Sequence, residues 1–164
     1  MKVALFGGTG FVGSYIVREL VRKGFIPKIL VRSGSLSKII SPCEVVRGDI
    51  QDKNAIIETI RGTEVVIYTI GIIREFPKKG VTFKELQLNG LKRCIESARK
   101  IDVKRFILMS ANGVRSDGTA YQTTKWQADE ALTKSGLNWT IFRPSLIFGD
   151  PRGEGRPEFC TQIR

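Results

Sequence analysis

The chain contains no histidine, only three cysteines and two methionines among its 164 residues, and far fewer acids than bases. Without histidine, acid–base chemistry near neutral pH falls to other side chains and one common metal ligand is missing. Cys43, Cys94 and Cys160 are widely separated and odd in number, which argues against a disulfide framework and against a paired-cysteine zinc site. The longest apolar runs are strand-sized, so no transmembrane segment is expected. A strand pattern begins at Lys2 and leaves no room for a signal peptide. These absences predict a cytoplasmic, metal-free protein. The shortage of acid, 16 Asp and Glu against 27 Lys and Arg, gives a net charge of +11. Such a surface suits nucleic acid, an anionic membrane or a phosphate-rich cofactor. The bases are scattered among acids, with no run of five or six and no interleaving with aromatics, so nucleic-acid binding is not expected.

What is present is ordinary for a globular protein: 41% hydrophobic and 26% charged residues, in a length that suits one domain. There are no internal repeats or low-complexity segments. The most informative stretch is the first fifteen residues. An apolar run, Val3 to Phe6, leads into Gly7, Gly8 and Gly10, and Gly13 follows inside a helical pattern carried by Val12, Ile16, Leu20 and Val21. Strand, glycine turn and helix in this order bring backbone N–H groups close to an anion. Gly8-x-Gly10-x-x-Gly13 fits the dinucleotide fingerprint, and Gly7-x-x-Gly10-x-x-Gly13 its longer variant. A glycine turn with no ligand is the alternative.

Strands are further predicted at 25–31, 44–47, 64–70, 104–109 and 138–142. Helices are predicted from Asp52 to about Arg61, from a Thr82-x-x-Glu85 capping box to about Lys100, and over 119–134. The alternation predicts an α/β fold with a doubly wound parallel sheet and helices on both faces. Ligands on such sheets lie beyond the C-terminal strand ends, where strand order reverses. After the second strand stand Arg32 and Ser33, with Ser35 and Lys38 nearby and no carboxylate before Glu44. A guanidinium there suits the 2′-phosphate of NADP, whereas NAD calls for an acid, so NADP is expected over NAD. A solvated loop arginine is the alternative. Asp49, with Ile50 beside it, suits either an adenine amine or a turn. Thr69-Ile70-Gly71 brings a small residue to where a ribose or diphosphate would lie.

Tyr121 and Lys125 share one helix face, in line with Ala128 and Leu132, while Asp129 falls on a polar flank. An ammonium beside a tyrosine would favour its phenolate. In that arrangement Ser110 holds a substrate oxygen, Tyr121 moves the proton, and Lys125 also binds the nicotinamide ribose.

Taken together, Gly7-Gly-Thr-Gly-Phe-Val-Gly13, Gly48-Asp49, Leu88-Asn89-Gly90, Ser110, Tyr121-x-x-x-Lys125 and Arg143-Pro-Ser-Leu-Ile-Phe-Gly149 resemble the short-chain dehydrogenase/reductase superfamily, in its extended or atypical branch. Ile70-Gly-Ile-Ile-Arg-Glu75, Thr82-Phe83 and Arg105-Phe-Ile-Leu-Met-Ser-Ala111 are similar to the group around the NAD(P)-binding accessory subunit of complex I. That group includes bacterial NADH-ubiquinone oxidoreductase-like and NAD-dependent epimerase/dehydratase relatives. The resemblance implies a Rossmann-type fold, with Gly7, Thr9, Gly10, Phe11, Val12 and Gly13 on the diphosphate, Arg32 on the 2′-phosphate, and Asp49 and Ile50 on adenine. It places Thr69, Ile70 and Gly71 by the ribose, and Lys125, Pro144, Ser145 and Ile147 near the nicotinamide. Ser110, Tyr121 and Lys125 would be catalytic. It also implies a C-terminal substrate-binding region, of which 149–164 would be a truncated start. The expected activity is that of an NADP(H)-dependent oxidoreductase or epimerase/dehydratase on a small-molecule carbonyl or hydroxyl substrate. The other expectation is a non-catalytic redox sensor, or an assembly or accessory factor of a quinone-linked respiratory complex. Homo-oligomers or association with a larger complex would fit either.

Overall fold

The computed structural model describes residues 1–39 and 42–150, without the side chains of Ser37 and Lys38. Cys160, the Lys38 side chain and 151–164 therefore lie outside the described residues. Each predicted strand forms where apolar residues run continuously or alternate. They are β1 (Lys2–Phe6), β2 (Ile26–Val31), β3 (Glu44–Arg47), β4 (Val65–Tyr68), β5 (Arg105–Met109) and β6 (Trp139–Phe142). All pair in parallel in the order β3-β2-β1-β4-β5-β6. Chain order reverses between β1 and β4, which fixes where a ligand crevice opens.

The helices are α1 (Phe11–Arg22), α2 (Lys53–Ile60), α3 (Gly90–Lys100) and α4 (Ala120–Thr133). Asp52 caps α2 by accepting from the N–H groups of Asn54 and Ala55. Thr119 and Gln122 form a reciprocal capping box at α4. The helix expected from Thr82 departs from its prediction. Thr82 Oγ1 does accept from Glu85 N at 3.1 Å, but the Glu85 carboxylate turns to Asn89 and Arg93, and Glu75 accepts from Phe83 N instead. Lys84–Asn89 then winds as a π-helical turn before α3 begins. Two of its polar groups have partners outside the helix: the Tyr68 hydroxyl donates to Leu86 O, and Gln87 Nε2 donates to Ile72 O at 2.9 Å. Partners outside the helix stabilise the wider turn.

Helices cover the two sheet faces unequally. Phe6, Val66, Tyr68, Phe106 and Leu108 pack against Ile56 and Ile60 of α2, Leu91 and Cys94 of α3, and Leu132 of α4. On the other face Leu5, Ile29 and Ile67 meet Val17 of α1. By strand alternation Arg105, Ile107 and Met109 point to that second face and stay partly exposed. Phe142 of the edge strand is 59% exposed.

Candidate functional site

The site is built from the loops that leave the C-terminal strand ends. Gly7 (φ +96°) turns the chain after β1, and Gly10 N donates back to Gly7 O at 3.0 Å. A Cβ on Gly13 would lie 2.1 Å from Gly7 O and 2.9 Å from Gly8 Cα, so the first turn of α1 presses directly on the strand exit. Among the described residues no side chain caps α1 at Gly10, which leaves its first N–H groups facing the crevice as an anion cradle.

A cleft of about 180 Å³ opens at the switch point, lined by Gly7, Thr9, Gly10, Leu30, Arg32, Asp49, Ile50, Thr69, Ile70, Gly71, Ile72 and Leu86. It gathers the predicted residues of four separate strand ends. Arg32 is exposed at its rim, and Ser33 opens the 3-10 turn Ser33–Lys38. Asp49 Oδ1 accepts from Gln51 N at 3.0 Å, so this carboxylate makes a turn and lines the cleft at once. Ile50 is buried, and Arg93 donates to its carbonyl at 3.2 Å, fixing the wall from α3. Thr69 extends the β4 ladder, its N–H and hydroxyl both donating to Phe6 O.

Lys125 lies at the cleft's edge. Its side chain is buried, Nζ donates to Met109 O at 3.0 Å, and a Cβ on Gly71 would sit 3.4 Å from Nζ. Burial pulls this ammonium from 10.5 down to about 8, and the Asp129 carboxylate opposes the fall. Ser110, next after Met109, is buried with no hydrogen-bond partner for its hydroxyl among the described residues. Pro144 comes to the same end, accepting from Asn112 N at 2.8 Å. The following loop reaches α1, where the Tyr15 hydroxyl donates to Asp150 O at 2.7 Å.

Two expectations need correction. Asp129 is not on a solvated flank: it is 3% exposed, and Oδ2 accepts from Arg143 Nε at 2.9 Å. Arg143, just past β6, reaches that face of α4 while its own side chain stays 54% exposed. Nor does an ammonium draw the Tyr121 phenol down. Tyr121 is half-buried edge-on against Phe83 with ring centroids 5.5 Å apart, and burial raises its pKa. Gln87 was missed altogether. It is 1% exposed, its Oε1 has no hydrogen-bond partner among the described residues, and a lone amide among Leu86, Leu88 and Leu91 was the available signal. Among the described residues no group of His, Cys, Asp or Glu could hold a metal ion, and no helix is long and apolar enough to cross a membrane.

A parallel sheet of this order, with a glycine cradle at its switch point, defines a dinucleotide-binding domain. The tight glycine turn, which only glycine's missing Cβ lets close at Gly7 and Gly13, and the adjoining cleft fit such a cofactor. The NAD(P)H-binding family model matches residues 7–159, so the chain belongs to that family. A mitochondrial NADH-ubiquinone oxidoreductase 40 kDa subunit from Neurospora crassa is 30% identical over 156 residues, covering 88% of this chain and 40% of the relative. A ceramide reductase from Caulobacter vibrioides is 31% identical over 150 residues, covering 90% of this chain and 46% of the relative. The chain thus spans less than half the length of these curated relatives. The enzyme WbmH of Bordetella bronchiseptica, solved with NAD+, shares the fold with a TM-score of 0.78 at 20% identity, covering 94% of this chain and 58% of that one.

Proposed function

We propose that this domain binds NADP(H) and serves an oxidoreductase or epimerase/dehydratase of the short-chain class, acting on a carbonyl or hydroxyl substrate. The observation that carries the reading is Lys125. Its ammonium is buried beside Gly71 at the cleft edge, and a lysine kept there against its desolvation cost suits a cofactor ribose better than a packing role. In this reading the first N–H groups of α1, from Phe11, Val12 and Gly13, hold the diphosphate together with Gly7, Thr9 and Gly10. Arg32, assisted by Ser33, takes the 2′-phosphate. Asp49 and Ile50 bound the adenine, and Thr69 to Gly71 the adjoining ribose. Pro144, Ser145 and Ile147 flank the nicotinamide end.

When bound, the nicotinamide supplies the hydride chemistry. The chain's own residues do the rest. The unpaired Ser110 hydroxyl holds the substrate oxygen, and Tyr121 donates or accepts the proton there. The raised Tyr121 pKa suits the donor direction at neutral pH. Lys125 positions the ribose through Nζ, whose carbonyl bond to Met109 fixes its direction.

Nucleotide titration tests the cofactor assignment. NADPH should bind more tightly than NADH, and Arg32→Ala should remove most of that preference; equal affinities would refute it. Turnover on a panel of carbonyl compounds should vanish in Tyr121→Phe while NADPH still binds, and unchanged turnover would remove Tyr121 from the mechanism. The second reading is a dinucleotide-binding accessory or assembly subunit without turnover. It is favoured by the Neurospora relative being named as a subunit of a larger oxidoreductase. Tight NADPH binding with no turnover on any compound of the panel would select it.

A further inference from the structure

The later part of the loop between β4 and the π-helical turn, from Ile73 onward, has its own fold, which the cofactor reading does not use. Phe76 and Val81 form an antiparallel bridge, with Phe76 N donating to Val81 O at 2.7 Å, and Pro77–Lys79 close it as one 3-10 turn ending at Gly80. Glu75 ties its base down by accepting from Phe83 N. The result is a stiff hairpin rather than a loose connection. Ile73 is 68% exposed and Phe76 47%, so two large apolar side chains stand in water. Around them are Arg74, Lys78, Lys79 and Lys84, all exposed, against two acids: Glu75, whose Oε1 accepts from Phe83 N, and Glu85, which pairs with Arg93. Among the described residues none of these four cations makes an ion pair. The Arg74 guanidinium lies over the Phe76 ring at 5.5 Å, which joins charge to apolar surface in one patch.

We propose that this hairpin docks the domain on an anionic lipid bilayer, with Ile73 and Phe76 entering the headgroup boundary and the four cations meeting lipid phosphates. Charge complementarity selects the occupant. Unpaired cations beside protruding apolar side chains match a surface that is negative outside and hydrocarbon beneath. A nucleic acid would call for stacking aromatics along a groove, and this patch has one exposed aromatic, Phe76, in the bridge. The hairpin grows from Ile72, which lines the cleft, so docking turns the cleft rim towards the membrane.

The test is co-sedimentation of the 164-residue chain with phosphatidylcholine vesicles, with and without about a third phosphatidylglycerol. Binding is expected to the anionic vesicles only, and to fall away near 0.5 M salt, where screening shortens to about 4 Å. Lys78→Gln with Lys79→Gln should weaken partitioning roughly 25-fold, at about fivefold per cation. Phe76→Ser should weaken it about tenfold at unchanged charge. All three positions are exposed, and a thermal melt matching the parent's confirms that the variants fold. Failure to bind anionic vesicles, binding equal in the variants, or Lys78/Lys79-dependent binding of a single-stranded oligonucleotide in place of vesicles would each overturn the proposal. The readout needs no nucleotide, so it stands or falls independently of the cofactor assignment.

Discussion

Replacing Lys125 by methionine should stabilise the fold at neutral pH while weakening NADPH binding. The ammonium sits at 3% exposure with a pKa lowered from 10.5 to about 8, chiefly by desolvation. At about 1.4 kcal/mol for each tenfold change in proton affinity, holding it charged costs the folded state roughly 3 kcal/mol at pH 7. Methionine has similar length and removes that cost, but forfeits the bond to Met109 O, worth about 1 kcal/mol. The net gain is about 2 kcal/mol. Its pH dependence carries the diagnosis. The folded pKa lies below the unfolded one, so between about 8 and 10.5 the unfolded chain binds the extra proton and parent stability climbs with pH. The variant lacks that climb. Its advantage should be constant below pH 8, shrink through this window and disappear by about pH 10. Urea unfolding of both proteins at pH 7 and pH 10 measures it. A variant less stable than the parent at pH 7, or a gap unchanged between the two pH values, would refute the desolvation argument.

Gly13→Ala gains about 1 kcal/mol of helix propensity, yet should lose at least about 2 kcal/mol net, because its Cβ would meet only backbone, starting with Gly7 O at 2.1 Å. The same urea curves and an NADPH titration check it, and parental values in both would mean the turn relaxes freely. Arg143→Met strips the buried Asp129 carboxylate of its ion-pair partner and should cost about 2 kcal/mol, read as a lower unfolding midpoint at unchanged slope. A midpoint within experimental error of the parent's would show the bond to be idle.

The strand ends were legible because their signals are local. Gly7 to Gly13, Arg32, Asp49 and Thr69 to Gly71 are read from neighbours in the chain, and parallel topology then brings them to one cleft. Lys125 was legible for a different reason: a cation within an apolar stripe contradicts its surroundings and so marks itself. Asp129 misled by the same logic. A carboxylate beside Glu130 looks like solvated surface, and its partner Arg143 is brought to it only when β6 lies down beside β5. Thr82 and Glu85 have capping-box spacing, but the box lost to Asn89 and Arg93, partners one and two turns further on. The unequal cover of the two sheet faces had no sequence signal of its own, since each strand is apolar on both sides.

The π-helical turn at Lys84–Asn89 also sets how this chain tolerates length changes. Such a turn holds one residue more than an α-helical turn of the same rise. Deleting a residue there would let the hydrogen bonds close normally and would tighten the helix locally. The flanks would keep their angle to α3, because an α-helical turn closes the same rotation with one residue fewer. What would be lost is the outward reach of this turn: Leu86 O would be drawn into the helix ladder and away from the Tyr68 hydroxyl, and Gln87 would shift from Ile72 O. The extra residue is kept by these two partners on neighbouring elements, not by the distance the segment spans.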